Sequence, residues 1–241
     1  MKINNFYSPN FDRKKRLSKS IKLVAIHYTG MQSGRESLKR LCNPKSKVSS
    51  HFLIYQNGKI FRLVDDNRIA WHAGKSCWGK YKNLNKNSIG IELVNKGHKL
   101  GYENFKKKQI FSLIKITKNI LKKYKIKKNN VVGHSDIAPL RKIDPGEKFP
   151  CKILAKKNIG IWHNLKPNIL AKYRGIKIFN KKDKKKFEKN LNNIGYCFLK
   201  KNQSFHIKIV KAFQRRFRKE LINGLLDKEC LIISENLAKS L

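Results

Sequence analysis

Two histidines and an aspartate stand where a chain could bring ligands to one place. His27 lies in Ala25-Ile26-His27-Tyr28-Thr29 and His134 follows Val131-Val132-Gly133, so each ends a short apolar run. Asp144 sits in Arg141-Lys142-Ile143-Asp144-Pro145-Gly146. A strand end is a rigid place from which to present a ligand. Two neutral imidazoles and one carboxylate suit Zn2+ and leave a fourth position for water, the arrangement of a catalytic rather than a structural site. No local zinc motif such as His-Glu-x-x-His accompanies them, so spacing alone leaves open that these are ordinary structural residues.

Glu92 is the candidate base, in Ser88-Ile89-Gly90-Ile91-Glu92-Leu93-Val94-Asn95. An acid inside an apolar strand is costly to bury unless paired or functional; the plainer alternative is a salt-bridged Glu facing solvent. Alternation puts Gly90, Glu92 and Val94 on one face, with Gly90 leaving room beside Glu92 for water or substrate. Lys142 precedes Asp144 by two residues, so in an extended segment both point the same way, and its ammonium could meet a developing oxyanion. Any single lysine of so basic a chain also reads as surface. Trp71 and His72, in Ala70-Trp71-His72-Ala73-Gly74, offer either a substrate contact, an imidazole supporting the ligands, or an ordinary packed pair.

The elements that must carry these residues are short. Lys22 to Ile26, Ser88 to Val94 and Val131 to Gly133 read as strands. His51 to Tyr55 and Lys59 to Val64 flank an Asn57-Gly58 pair, a strong hairpin signal. Gly34 to Leu41 reads as a short helix. From Phe105 to Tyr124, apolar residues at Ile110, Leu113, Ile114, Thr117, Ile120 and Leu121 recur at helical spacing between lysines. The expectation is an α/β domain on a mixed central β-sheet flanked by helices. An N-terminal extension at 1–20, a catalytic domain at 21–162 and a linker at 163–176 lead to a small helical domain at 177–241. There the stripes Phe187/Leu191/Ile194, Ile207/Val210/Phe213/Phe217 and Leu231 to Leu237 predict three helices.

The 241-residue chain carries 57 Lys and Arg against 15 Asp and Glu, a formal net charge of +42. Such a charge favours polyanions, so a nucleic-acid binder or a binder of acidic wall polymer is one reading. Yet the lysines are spread along the whole chain and no standard nucleic-acid motif is present, which favours a solvated surface and no specific nucleic-acid partner. A hydrophobic content of 40% excludes a fully disordered chain. The five cysteines form no Cys-x-x-Cys pair and are odd in number, which argues against a disulfide framework or a thiolate zinc site. No stretch reaches membrane-spanning length. The cell envelope or periplasm is the expected place if an export route exists, with the cytoplasm as the alternative because no signal peptide is visible.

In order along the chain, Ala-Ile-His-Tyr-Thr at 25–29, Ser-Ser-His-Phe-Leu-Ile at 49–54, Ala-Trp-His-Ala-Gly at 70–74, Ser-Ile-Gly-Ile-Glu-Leu-Val-Asn at 88–95, Val-Val-Gly-His-Ser-Asp-Ile-Ala-Pro at 131–139 and Arg-Lys-Ile-Asp-Pro-Gly at 141–146 resemble the zinc N-acetylmuramoyl-L-alanine amidases of the AmpD/AmiD type. That family shares its fold with peptidoglycan recognition proteins. The resemblance covers roughly residues 20 to 162 and is closer to the AmiD branch, through Ser49-Ser50-His51-Phe52, Phe149-Pro150 and Ile159-Gly160-Ile161-Trp162. Gly195-Tyr196, Lys211 to Phe217 and Asn223 to Asp227 resemble the three-helix peptidoglycan-binding module of such enzymes, with Cys230 where that module commonly has Thr. Cys151 replaces a common Trp after Phe-Pro. The resemblance implies that His27, His134 and Asp144 bind zinc, that Glu92 is general base and that Lys142 stabilises the transition state. It implies peptidoglycan or an anhydro-muropeptide as substrate. A receptor-like relative that binds wall fragments without cutting them would lack part of this set, and a wall-anchoring protein would rest on the tail alone.

Overall fold

The computed structural model describes residues 2–197 and 203–241; the stretch of the expected helical tail at 198–202 lies outside them. Six strands form the central sheet: β1 (Ile3–Asn5), β2 (Leu23–Tyr28), β3 (Phe52–Ile54), β4 (Ile60–Arg62), β5 (Ser88–Leu93) and β6 (Val131–Gly133). Their order is β1-β4-β3-β5-β2-β6. Strands β3, β5, β2 and β6 run parallel, and β4 is antiparallel to β3. The sheet is therefore mixed, as expected. Residues 23–27 of β2 are all buried, which is why this strand reads as an unbroken apolar run rather than an alternating one.

The Asn57-Gly58 turn closes the β3–β4 hairpin. Gly58 has φ +87°, and a Cβ there would come within 2.9 Å of the Lys108 carbonyl oxygen, so glycine is required twice over. The segment expected as an N-terminal extension is instead built into the fold. Ile3–Asn5 is the edge strand, pairing in parallel with Ile60–Arg62, and Arg16 is buried, donating to the carbonyls of Asp66, Asn85 and Ser88.

Helix α1 is Gly34–Cys42, capped by Ser33, whose side chain accepts from the Glu36 N–H. Helix α2, Lys107–Tyr124, covers one face of the sheet with Ile110, Leu113, Ile116, Thr117 and Ile120. Ile116 takes a place the sequence reading gave to Ile114 and Leu121, which are only partly buried. With the face centred on Leu113, Ile116, Thr117 and Ile120, those two fall on its flank, about 100° round per residue. Gln109 is also buried on this face, and its amide donates to the Ile54 and Val94 carbonyls at 3.0 Å each, satisfying acceptors at the ends of β3 and β5.

The expected linker contains helix α5, Pro167–Tyr173, following the short turns α3 (His134–Ile137) and α4 (Cys151–Ala155). Proline at the start of α5 supplies its φ, and one apolar anchor, Leu170, suffices to seat it. Arg174 beyond it pairs with buried Glu229 at 2.8 Å. The tail helices are α6 (Lys181–Ile194), α7 (Gln203–Phe217) and α8 (Lys228–Lys239). On α7 the buried stripe is Ile209, Val210, Phe213 and Phe217, while Ile207 is 37% exposed: Ile209 and Val210 stand four and three residues before Phe213, and Ile207 stands six before it. Cys230 is fully buried on α8 and Cys151 partly so beside the sheet. Leu23, Ala25, Trp78, Val132 and Ile137 share one apolar cluster with Tyr196, Phe213 and Phe217, so the tail and the sheet are packed through a common core. Among the described residues no helix is long and apolar enough to cross a membrane.

Candidate active site

Because β5, β2 and β6 are parallel, their carboxyl ends fall together. Ile26 pairs with Gly133 and His27 with Glu92, so His27, Glu92 and His134 emerge at one edge of the sheet, where open parallel sheets hold their ligands. Asp144 reaches the same point from a loop tied to α3 by the Ser135 N–H to Asp144 carbonyl bond of 2.8 Å. The His27 and His134 Nδ1 atoms are 2.9 Å apart, and Asp144 Oδ2 lies 3.3 Å from the first and 3.1 Å from the second.

The hydrogen bonds behind these atoms settle which nitrogens carry protons. His134 Nε2 meets the Ala73 carbonyl at 3.2 Å. A carbonyl only accepts, so the proton is on Nε2 and Nδ1 presents a lone pair. For His27 the logic runs through two residues. The Ser88 hydroxyl donates to the Leu84 carbonyl at 2.5 Å and so accepts from His72 Nε2 at 3.3 Å. His72 Nδ1 is then an acceptor, and the His27 Nε2–H donates to it at 3.1 Å. Both histidines thus turn a bare Nδ1 toward each other and toward a carboxylate. Three electron-rich atoms so close repel unless a cation lies among them. A tetrahedral zinc with bonds of about 2.0–2.1 Å sets its donors ~3.3 Å apart, so the residues present fit the ion.

Ionisation agrees with this set. Burial, and after it His134, brings the His27 imidazole down to about 4. His72 is held well below its ordinary value by burial and then by His27 and His51. Burial alone would raise Asp144, but hydrogen bonds and charge from His134 and then His27 in the metal-free chain outweigh it and keep the carboxyl well below the usual carboxylate range, a place that a cation takes once both Nδ1 atoms are bare.

Glu92 is partly buried, its Oε2 wholly so and without a hydrogen-bond partner among the described residues. Burial, then the charge of Asp144, pushes the carboxyl up to about 8, with Lys142 pulling the other way. Glu92, Lys142, His134 and Asp144 line one cleft of about 690 Å3 together with Trp71 and His72. All seven residues singled out in the sequence therefore meet in one region. Trp71 forms a fixed part of the wall, its indole N–H donating to Asp12 Oδ1 at 2.6 Å. His72 spends both ring nitrogens on His27 and Ser88. The space at Gly90 is not left for water or substrate: a Cβ there would lie 2.4 Å from His72 Cγ, so the glycine makes room for this imidazole. Gly90→Ala is expected to displace His72, cost about 1–3 kcal/mol in stability and weaken metal binding about 10-fold, measured by denaturation and chelator competition.

Sequence reading missed several supports. Ser88 and the Ala73 carbonyl orient the imidazoles, but a serine in a strand and a backbone oxygen carry no visible signature. Arg141 also holds the Ala73 carbonyl and bonds that of Lys75 at 2.9 Å. At the rim, Tyr28 Oη is 2.9 Å from His98 Nδ1, whose Nε2 lies 3.1 Å from Glu147.

Residues 17–147 match the family described as N-acetylmuramoyl-L-alanine amidase. The chain belongs to this family. Among curated relatives, the N-acetylmuramoyl-L-alanine amidase AmiD of Escherichia coli is 37% identical over 90% of this chain and 82% of its own. The 1,6-anhydro-N-acetylmuramyl-L-alanine amidase AmpD of Haemophilus influenzae is 36% identical over 59% of this chain and 84% of its own. The solved complex of E. coli AmiD with the substrate anhydro-N-acetylmuramic acid-L-Ala-D-γ-Glu-L-Lys superposes with a TM-score of 0.79 at 33% identity, covering 95% of this chain and 92% of that one. The AmiD likeness runs through the tail, whereas that to AmpD covers a little over half of the chain, in keeping with the closer resemblance to the AmiD branch.

Proposed function

We propose that this amidase is a zinc hydrolase that cleaves the amide between N-acetylmuramic acid, or its anhydro form, and the L-alanine of the stem peptide. The observation that carries the reading is the convergence of the His27 and His134 Nδ1 atoms and one Asp144 carboxylate oxygen beside Glu92, whose buried Oε2 has no hydrogen-bond partner among the described residues. His27, His134 and Asp144 hold the ion, which when bound supplies a positive charge that acidifies water and polarises a carbonyl. Glu92 accepts a proton from the attacking water and passes it to the departing L-alanine nitrogen, so that water and amide become acid and amine. Lys142 places its ammonium against the oxyanion that forms at the amide carbonyl. Trp71 bounds the substrate, and His72 orients His27. Arg40, Lys96, Lys99 and Arg141 also line the cleft, a wall suited to the carboxylates of a stem peptide.

The helices at 177–241, joined through the linker at 163–176, are read as a peptidoglycan-binding part that brings the chain to its substrate; support comes from the tail motifs and from the AmiD likeness across it. Mass analysis of products from a defined muropeptide tests the activity: free stem peptide beginning at L-alanine is expected, with an excess of chelator suppressing it. A cut elsewhere in the muropeptide, or none in zinc-loaded protein, overturns the reading. Comparing anhydro with reduced-sugar substrates separates recycling fragments from intact wall. Lys142→Met is expected to lower kcat about 10²-fold with KM little changed and zinc retained, read by steady-state kinetics and metal analysis.

A further inference from the structure

We propose that Arg216 and Tyr196, on the C-terminal side of the chain, are positioning residues that hold the His134 turn in place through Asp136. The inference rests on His134 being a metal ligand, as proposed above. Asp136 lies two residues after His134 on α3 and is 2% exposed. Its Oδ2 accepts from Arg216 Nη1 at 2.7 Å and from the Gly133 N–H at 2.7 Å, and its Oδ1 accepts from the Tyr196 hydroxyl at 2.7 Å. Arg216 also donates through Nη2 to the Val131 carbonyl at 3.1 Å. One guanidinium therefore grips both the start of β6 and the turn that follows it, on either side of the residues that aim His134.

Both partners are buried, Tyr196 at 1% and Arg216 at 8% exposure, and both come from 60 or more residues further along the chain. Without them Asp136 would be a buried carboxylate with a single backbone donor, which costs heavily unless the turn rearranges toward water. Rearrangement would reach two ligands at once. The imidazole sits on the same helical turn, and the Asp144 carbonyl is bonded to the Ser135 N–H of that turn at 2.8 Å. The tail helices are on this account part of the metal site's support rather than only an appended module.

The test uses the full chain. Tyr196→Phe removes one hydrogen bond and leaves the ion pair; Arg216→Met removes the guanidinium; Arg216→Met with Asp136→Asn removes both charges. Zinc affinity by competition with a chromophoric chelator, the visible spectrum of the cobalt-loaded protein, and kcat and KM are measured beside the denaturation midpoint. Affinity is expected to fall severalfold for Tyr196→Phe and about 10–100-fold for Arg216→Met, with kcat falling and KM unchanged, an altered cobalt spectrum, and partial recovery in Arg216→Lys. Should Arg216→Met fail to fold, Tyr196→Phe and the double variant decide. A lower denaturation midpoint with wild-type zinc affinity, spectrum and kcat in Tyr196→Phe and the folded Arg216 variants makes the contact mere packing and overturns the proposal. Absence of zinc binding by the unaltered chain defeats the metal reading itself, and this proposal with it.

Discussion

Glu92→Gln is expected to lower kcat by about 10²–10⁴-fold, the usual contribution of a positioned general base, while zinc content stays at the wild-type level. The amide keeps the size of the side chain but cannot accept a proton at the reacting water. Glu92 pairs in register with His27 on the adjacent strand yet its buried Oε2 has no hydrogen-bond partner among the described residues, so its loss should leave the ligand set undisturbed. The pH profile sharpens the test. Burial, with Asp144 after it, raises the free carboxyl to about 8, and a cation among the neighbouring donors would draw it back toward neutrality. The wild-type rate should therefore fall on the acid side as Glu92 takes up its proton, and the residual rate of the variant should not. In chelator-treated protein the same shift has a stability consequence. The folded pKa lies above the unfolded one, so the contribution of Glu92 is fully present below about 4.5 and is lost as pH rises to about 8. Glu92→Gln should abolish that decline and exceed metal-free wild type at pH 8 by ~1–3 kcal/mol, the cost of an unsatisfied buried polar group. Urea denaturation at pH 5 and pH 8 measures it. Wild-type turnover in this variant would remove Glu92 from the reaction.

The site was legible in the sequence for a physical reason. His27, Glu92 and His134 each end or interrupt an aliphatic run, and parallel pairing of those runs brings their carboxyl ends together whatever the loops do. Asp144 and Lys142 stood out by type and spacing, but only the resemblance tied them to the two histidines, because a loop carries no periodicity. The hairpin at Asn57-Gly58 and the α2 helix announced themselves through turn chemistry and spacing. Edge pairing by Ile3–Asn5 did not, since three residues beside polar neighbours make no pattern of their own. Helix α5 was hidden for a similar reason, holding to the fold by one leucine and the salt bridge that follows. Nor could the use of Gly90 be read: a glycine beside a catalytic candidate is compatible with open space, and only the fold reveals an imidazole arriving from 18 residues earlier. The buried Arg216–Asp136 pair is less legible still, because one arginine in so basic a chain carries no mark of its destination.

Removing a ligand should have the largest effect of all. His134→Ala is expected to weaken zinc binding by ~10²–10³-fold, since apparent binding of about 10–16 kcal/mol in structural sites with four protein ligands assigns each ligand a few kcal/mol, and to abolish measurable turnover. Asp144→Asn should do the same, because an amide oxygen offers no charge to offset the ion's. The two replacements differ in what they leave behind. In Asp144→Asn the imidazoles keep their bonds to Ala73 and His72, so the fold around them should persist; in His134→Ala the Ala73 carbonyl loses its imidazole donor, though Arg141 still bonds it. Acid should release zinc from the wild type in a way the ligands dictate. With the free imidazole of His27 already near 4, protons compete poorly for that ligand, and the ion should be retained below the ordinary histidine value of 6.5. For the metal-free chain the sign is that of a histidine buried neutral: the unfolded state takes up the proton first, so stability falls as pH drops from about 6.5 toward 4. Metal analysis after dialysis across this range, together with activity on a muropeptide, checks both statements. Full zinc occupancy in His134→Ala would place the ion, and with it the reaction, somewhere else in the molecule.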